Sequence, residues 1–305
     1  MPAGMTRSEF QRFAFPGLDE VIGVSYRKKP YQYTDVFNVE NSDAAFEEDH
    51  QMVGFGLPIQ TAENVAIPAD RMYDGPAIRY THLDYTLRAG FSHQFIRDMK
   101  RPIWNERARD FGFSFSEGVE ISASDVLNNG FTTLGYDGVP LFSAVHPLGA
   151  RTGGSTGQTQ SNVLATPATL SVGSFRDMLT QSRLFFDPTG VRRIAVQQAI
   201  LLVPPQLEFL AKEIVKSMGR PDTANRADNV TRDAVRIVVW DFLLNAKYWF
   251  MIPEKSQHKL KFFWRERFGT RPFFDDITET NWIRGRQAYS VGYSDYIPVI
   301  GTNPV

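Results

Sequence analysis

Within "DGVPLFSAVHP", residues 137–147, an Asp, a Ser and a His fall close together. In mutual contact those side chains would supply a nucleophile, a general base and an orienting carboxylate, the constellation of Ser-dependent acyl transfer. That chemistry requires the three groups to converge from different directions, so they usually come from separated elements. Here Asp137, Ser143 and His146 share one short loop, and no G-x-S-x-G turn surrounds Ser143. The spacing favours a loop with a structural job. In that reading Asp137-Gly138 makes a turn, Pro147 ends an extended segment, and Leu141 and Phe142 anchor the loop in a core.

Other groups that could do chemistry fare no better. The Gly-rich run "LGARTGGSTGQTQSN" lacks the Lys-Ser/Thr of a phosphate-binding loop and reads as a flexible connection. His82-Leu83-Asp84 sets two possible metal ligands on one strand face, but a site needs a third and usually a fourth. The chain has 5 His, and none is paired at helical spacing. The acidic cluster Glu47-Glu48-Asp49 reads as a solvated turn. In the basic stretch 258–271, Lys259, Lys261, Arg265, Arg267 and Arg271 are offset by Glu266; it either meets phosphate or, the plainer reading, forms the wet face of a strand. The expectation is no catalytic residue, no metal ligand and no cofactor-binding residue, hence no enzyme.

Composition narrows the classes further. At 42% hydrophobic and 22% charged the chain is globular, and 24 Phe imply large apolar faces in cores or between subunits. Lys+Arg 33 against Asp+Glu 34 argues against a dedicated nucleic-acid binder. With no Cys, disulfides, zinc-thiolate sites and thiol catalysis are excluded. The opening "MPAGMTRSEF" has no apolar core of a secretory signal, which points to a cytoplasmic life. The most apolar stretch, 236–252, is interrupted by Arg236, Asp241, Asn245 and Lys247, so it does not span a membrane. The sequon at Asn229 is accidental in that setting.

The elements that would position these groups follow from periodicity. Residues 1–45 mix Pro, Gly and scattered aromatics, cannot build a core, and are expected to lie along another surface, such as a neighbouring subunit. Residues 46–88 read as a long two-stranded excursion, β-rich at "MVGFGLPI" and then over "NVAIPADRMYDGPAIRYTHLDYTLR", with a polar, Gly/Pro-marked tip between about 60 and 77. Ile78, Tyr80, His82 and Asp84 alternate onto one face. Such a ribbon is too thin to be stable without a partner. Ser92 is a candidate N-cap for "HQFIRDMKR", which Pro102 should break or kink near Arg101. A long helix over 103–129 follows, with Trp104, Ala108, Phe111, Phe115, Val119 and Val126 on one side and Asn128-Asn129-Gly130 as its C-cap. Gly112 and Gly118 weaken it. Beyond a loop of 131–165, helices are expected at "SVGSFRDMLTQSRLFF", capped by Ser171 or Ser174, and at "PPQLEFLAKEIVKSM". A buried strand is expected at "QQAILLV", paired strands at "AVRIVVWDFL" and "KYWFMIP", and long aromatic strands from 259 to 298.

The order of an arm, a β excursion, a long helix, an α/β body and returning long strands resembles the major capsid proteins of tailed phages, whose fold is named after the Hong Kong 97 phage. The chain is similar in particular to the Mu-like phage major head subunits, through "DGVPLFSAVHPL" followed by "TQSNVL", through "LLVPPQLEFLAKEI", and through the late "WRERFGTRPFF" strand. The resemblance implies an α+β fold with an N-terminal arm (1–45), an E-loop hairpin (46–88), a peripheral domain (89–135 and 256–298) holding the spine helix, an axial domain (136–255) and a C-terminal tail (299–305). It implies self-assembly into hexamers and pentamers of an icosahedral shell around double-stranded DNA, in a virion built in the host bacterial cytoplasm. Portal and decoration proteins would be partners, with weak, non-specific contact to the DNA and none to a membrane. No cofactor is implied. The Lys–Asn cross-link of the Hong Kong 97 phage uses an E-loop Lys, and residues 54–88 contain none. No helical, charged segment precedes the arm, so a separate scaffold protein is expected. Two other readings remain open: an encapsulin-type compartment shell of the same fold, and a soluble hydrolase using Asp137, Ser143 and His146.

Overall fold

The computed structural model describes residues 15–67, 69–92, 101–148, 158–194, 196–219, 228–278 and 280–304. Helix α1 (Phe15–Tyr26) and the single turn α2 (Tyr33–Val36) lead into β1 (Asn38–Asn41). A hairpin of β2 (Phe46–Val53) and β3 (Tyr73–Thr81) follows, then β4 (Leu83–Ser92) and the long helix α3 (Arg101–Asn128). A loop with the short pair β5 (His146–Pro147) and β6 (Thr159–Gln160) precedes α4 (Val172–Ser182), β7 (Gln198–Val203), α5 (Glu208–Lys216), β8 (Arg236–Val239) and β9 (Trp249–Pro253). Strands β10 (Leu260–Asp275), β11 (Thr280–Tyr293) and β12 (Ile300–Thr302) close the chain. One sheet has the order β1-β10-β11-β4 and a second the order β12-β9-β7-β8. Among the described residues no helix is long and apolar enough to cross a membrane.

The long helix answers to its periodicity. Ala108, Phe111, Phe115, Val119, Ala123 and Leu127 recur every three or four residues and are all buried. Gly285 of β11 lies so close to the Phe115 ring that a Cβ there would come within 2.5 Å of it. Odd-numbered β11 residues therefore face the helix, and even-numbered ones face away. The expected helix at 93–100 and the side chain of Trp104 lie outside the described residues. The helix ends at Asn128 as expected, with Gly130 N donating to Leu127 O at 3.1 Å, and Gly130 has a second use: a Cβ there would sit 2.8 Å from the Phe142 ring, so the position needs a missing side chain for close approach.

Residues 15–41 already pack within the chain itself. Leu18 and Ile22 of α1 are buried against Ala108, Phe111 and Phe115 of α3. Gly112 makes this crossing possible, since a Cβ there would come within 2.5 Å of the Ile22 carbonyl oxygen. Farther on, β1 pairs in parallel with β10, Asn38 opposite Lys261. An apolar i, i+4 pair with small residues around it was enough to dock the helix, and the scattered Pro and Gly concealed it.

The β excursion is shorter than expected. Glu47, Glu48 and Asp49 are not in a turn but inside β2, and the described residues of 54–72 contain no strand. Leu83–Ser92 leaves the hairpin and pairs with β11 in the first sheet. Among the polar residues of the tip, Val65, Ile67 and Met72 are at least 48% exposed, and Phe55, Leu57 and Ile59 just before it are at least 50% exposed.

In the second sheet β7, buried along most of its length, is central. Strand β8 pairs parallel to it and β9 antiparallel, so "AVRIVVWDFL" and "KYWFMIP" are both its neighbours rather than each other's. Ile300–Thr302, expected in a tail, pairs with β9. Helix α4 starts from a capping box in which Ser171 and Ser174 bond each other's backbone N–H. A single core links this sheet, α4, α5 and the C-terminal half of α3 to Phe262, Trp264 and Tyr289 of the first sheet.

Candidate functional site

The loop that carries Asp137, Ser143 and His146 brings two of the three together. His146 is buried, and its Nδ1 lies 2.6 Å from Asp137 Oδ2. Gly138, at φ +80°, makes the turn that carries the chain away from Asp137. His146 Nε2 lies 3.2 Å from both the Leu141 carbonyl and Asn162 Oδ1. Asn162 is fixed in orientation, because its Nδ2 donates to Leu141 O and Val299 O while its Oδ1 accepts from Ser143 N. Both neighbours of Nε2 are therefore acceptors, so Nε2 is the donor on that side, while Nδ1 is engaged with the Asp137 carboxyl. Neither ring nitrogen is left to act as a base. Ser143 Oγ accepts from Val145 N at 3.2 Å and has no contact with His146. The group is a buried, fully bonded knot, not a nucleophile and its base.

That knot ties distant segments. Tyr296 stacks on His146 with ring centroids 3.7 Å apart. Next to it, buried Asp295 accepts from Ile297 N and from Tyr136 Oη, which in turn accepts from Gln51 of β2. Burial pushes the Asp295 carboxyl above the ordinary carboxylate range. Phe142 lies between Phe131 and Phe250, at 4.8 and 5.1 Å, and fills the space left by Gly130 and Gly301. Leu141 and Phe142 are thus the anchors expected from the sequence.

The base of the β2-β3 hairpin forms a second polar junction. Lys261 Nζ lies 2.8 Å from Asp49 Oδ2, and Lys259 Nζ donates to His50 O. Burial works against the Asp49 anion, but hydrogen bonds from Lys261 and Ser294 outweigh it and hold the carboxyl below its usual range. Tyr80 Oη and Ser294 Oγ are 2.5 Å apart. His82, between β3 and β4, contacts Ser42 Oγ through Nε2 and Ser290 Oγ through Nδ1, at 3.1 and 3.0 Å. Asp84 instead points to Arg286 at 3.0 Å. The two proposed ligand types diverge, and among the described residues no cluster of His, Asp or Glu could hold a metal ion. The basic stretch is divided as well: Lys259 and Lys261 serve the hairpin, Arg267 donates to Asn41 Oδ1, and Arg265 and Arg271 are exposed.

Several positioning residues carried no motif of their own. Buried Glu120 of α3 accepts from the backbone N–H groups of Gln32 and Tyr33 and from Trp240 Nε1, joining the arm to the body. Burial raises its carboxyl above the usual range. Its only sequence signal is a Glu on the apolar side of a helix, one position from Val119. Asn229, in the sequon, is buried and donates to Ile214 O, so it is a structural amide.

A protein of this shape has polar groups spent on tying segments together and apolar groups left exposed on a hairpin tip. The family model that matches residues 76–300 is that of phage capsid protein. The chain belongs to the phage capsid protein family. Among solved structures the capsid protein is similar to a chain from the structure of Mycobacterium phage Adephagia, with TM-score 0.59 and 11% identity over 91% of each chain. It is also similar to the capsid of bacteriophage JBD30 decorated with minor capsid protein trimers, with TM-score 0.54 and 16% identity over 70% of this chain and 91% of that one. A virus-like particle from Pyrococcus furiosus matches with TM-score 0.52 and 9% identity, over 95% of this chain and 100% of that one. No curated protein matches its sequence. The α+β fold is thus of the Hong Kong 97 phage type, and the capsid protein is a structural subunit, not an enzyme. The encapsulin-type alternative is not better supported than the phage head.

Proposed function

We propose that this chain is the major head subunit of a tailed phage, of the Mu-like kind, and that it builds hexamers and pentamers of an icosahedral shell around double-stranded DNA. The observation that carries the reading is the hairpin tip. Six large apolar side chains lie exposed along residues 54–72, on a segment with no strand or helix to shield them. So many large apolar side chains exposed on one short segment mark a contact with another molecule. In a shell the partner is the next copy, and stability becomes inseparable from assembly.

Within that reading, 1–45, 46–88, 89–135 with 256–298, 136–255 and 299–305 act as arm, E-loop, peripheral domain, axial domain and tail. A separate scaffold protein guides assembly in the host bacterial cytoplasm, and a portal occupies one vertex. Decoration proteins are further candidate partners, and packaged DNA is touched weakly and without sequence preference. No residue takes a catalytic, metal or cofactor role. Light scattering of the chain expressed alone and with its scaffold tests the reading. Particles of many subunits are expected; a compact monomer across a wide concentration range in both samples would overturn it.

A further inference from the structure

Strand β4 runs at the edge of the first sheet, with β11 on one side and no strand among the described residues on the other. Its register with β11 is unbroken from Leu83 opposite Tyr289 to Ser92 opposite Thr280, so no bulge twists the edge away. The sequence "LDYTLRAGFS" contains neither Pro nor Lys, the residues that commonly blunt such an edge. A long, regular row of backbone N–H and C=O groups is thus turned outward, a template for a further strand.

The side chains say which strand fits. Directly opposed residues share a face of a sheet. Arg88 is opposite Arg284, and Arg284 is opposite Arg271, a row of like charges that is unfavourable within the chain. Arg271 and Arg284 form no ion pair among the described residues. Four residues before Arg88, Asp84 is opposite Ala288, which is opposite Glu266, so an acidic row lies on the same face. Both acids reach Arg286, yet the Asp84 side chain stays 57% exposed, with room for a second donor. On the other face of β4, Leu83 and Leu87 are exposed, and Tyr85 between them stacks on Tyr289.

Laid antiparallel against its own copy, with Thr86 opposite Thr86, this strand is self-complementary. Asp84 of each copy falls opposite Arg88 of the other, so each basic row runs on into an acidic one. On the other face Tyr85 meets Leu87, and Leu83 meets Ala89. A slip of one residue would set mismatched faces together. A slip of two would part Asp84 from Arg88.

We infer that the β4 edge pairs with the β4 edge of a second copy across a two-fold axis at Thr86, joining two four-stranded sheets into one of eight strands. The same patch serves both copies, and α3 of each lies on the same side of the joined sheet. The inference rests on the head-subunit reading, which supplies the second copy and, in an icosahedral shell, the two-fold axes. A strand of another protein would satisfy the backbone groups but would not by itself explain an Asp and an Arg placed symmetrically about Thr86.

Because the chain has no Cys, one introduced thiol reports the pairing. In Thr86→Cys the two thiols face each other across the axis, with α-carbons about 4.5–5.5 Å apart, inside the range a disulfide spans. Oxidised particles should then run as covalent dimers on a non-reducing gel. In Leu83→Cys the thiols lie about 20 Å apart along the paired strands and should not link. Arg88→Glu sets two pairs of like charges across the axis and should raise the concentration at which particles form about tenfold. The same change places a carboxylate opposite Arg284, so dissociated subunits should melt near the wild-type temperature. Asp84→Arg should also weaken assembly, and an equimolar mixture with Arg88→Glu, which restores both charge pairs, should assemble better than either alone. Thr86→Cys particles that stay unlinked, or that link no better than those of Leu83→Cys, would overturn the pairing and leave the head-subunit reading standing. Assembly of Arg88→Glu at the wild-type concentration would do the same. Linked dimers without particles would keep the pairing and remove the shell, whereas a chain that stays monomeric throughout would remove both.

Discussion

Replacing Phe142 should damage the subunit far more than replacing its neighbour Ser143, although only Ser143 belongs to a group with catalytic residue types. The Phe142 ring is 3% exposed and is clasped by Phe131, Phe250 and the bare α-carbons of Gly130 and Gly301. Phe→Ala in a core costs roughly 3–5 kcal/mol, more where the surroundings cannot collapse into the space. Two of the walls here are glycine backbone, which has no side chain to swing inward, so Phe142→Ala should fall at the upper end, about 4–5 kcal/mol. Ser143→Ala loses one hydroxyl acceptor on a half-exposed turn and should cost at most about 1 kcal/mol. Asn162→Ala should lie between them, since it strips partners from Ser143 N, Leu141 O and Val299 O. Urea unfolding of dissociated subunits, followed by tryptophan fluorescence, measures all three. A Ser143→Ala loss equal to that of Phe142→Ala, or ester hydrolysis by the wild type that Ser143→Ala abolishes, would refute the reasoning.

Other perturbations have defined outcomes. His258 is buried near Lys255, and both effects, burial first, push its imidazole down to about 4. The unfolded chain takes up this proton near the ordinary value, so the folded subunit loses stability as pH falls from about 6.5 to about 4, by roughly 3 kcal/mol. His258→Asn keeps an acceptor for Leu260 N and should flatten that slope; equal slopes in titrated unfolding curves would refute the assignment. Glu120 and Asp295, whose carboxyls are raised by burial, act in the opposite sense, favouring the fold at low pH, and should leave the difference between the two proteins unaffected. Lys261→Gln should free the hairpin base, raising amide exchange in β2 about fivefold, in line with a partly buried pair worth about 1 kcal/mol; unchanged exchange would mean that the Asp49 pair holds nothing. Replacing residues 57–71 by two glycines should leave the near-ultraviolet circular dichroism unaltered and abolish particles, and normal particles would show that the exposed apolar tip is not a contact.

Much of the fold was legible because it is written in local period. The long helix could be placed to within a few residues since its apolar side recurs for about five turns, and β7, α4 and α5 carried clear apolar and capping signals. What escaped depended on contacts distant in sequence. Strand β2 reads "FEEDHQMV", whose acidic start suggests a turn; it is a strand because Lys261, more than two hundred residues on, answers Asp49. Helix α1 was hidden because its docking rests on the absence of a side chain at Gly112. The candidate site was half legible. Asp137, His146, Leu141 and Phe142 could be singled out and the loop judged structural, but Asn162, which holds that loop, appears in the sequence only as part of "TQSNVL". Asp295 and Gln51 gave no signal, because a buried polar residue is recognised only by its partners.

The account's central claim is that this subunit is completed by copies of itself. Single-particle electron microscopy of assembled particles tests it most directly. The expected map shows closed shells of hexamers and pentamers in which residues 54–72 lie across a neighbouring copy with Phe55, Leu57, Ile59 and Ile67 covered. Particles in which that segment remains exposed to solvent, or a protein that stays monomeric with the same side chains bare, would contradict it.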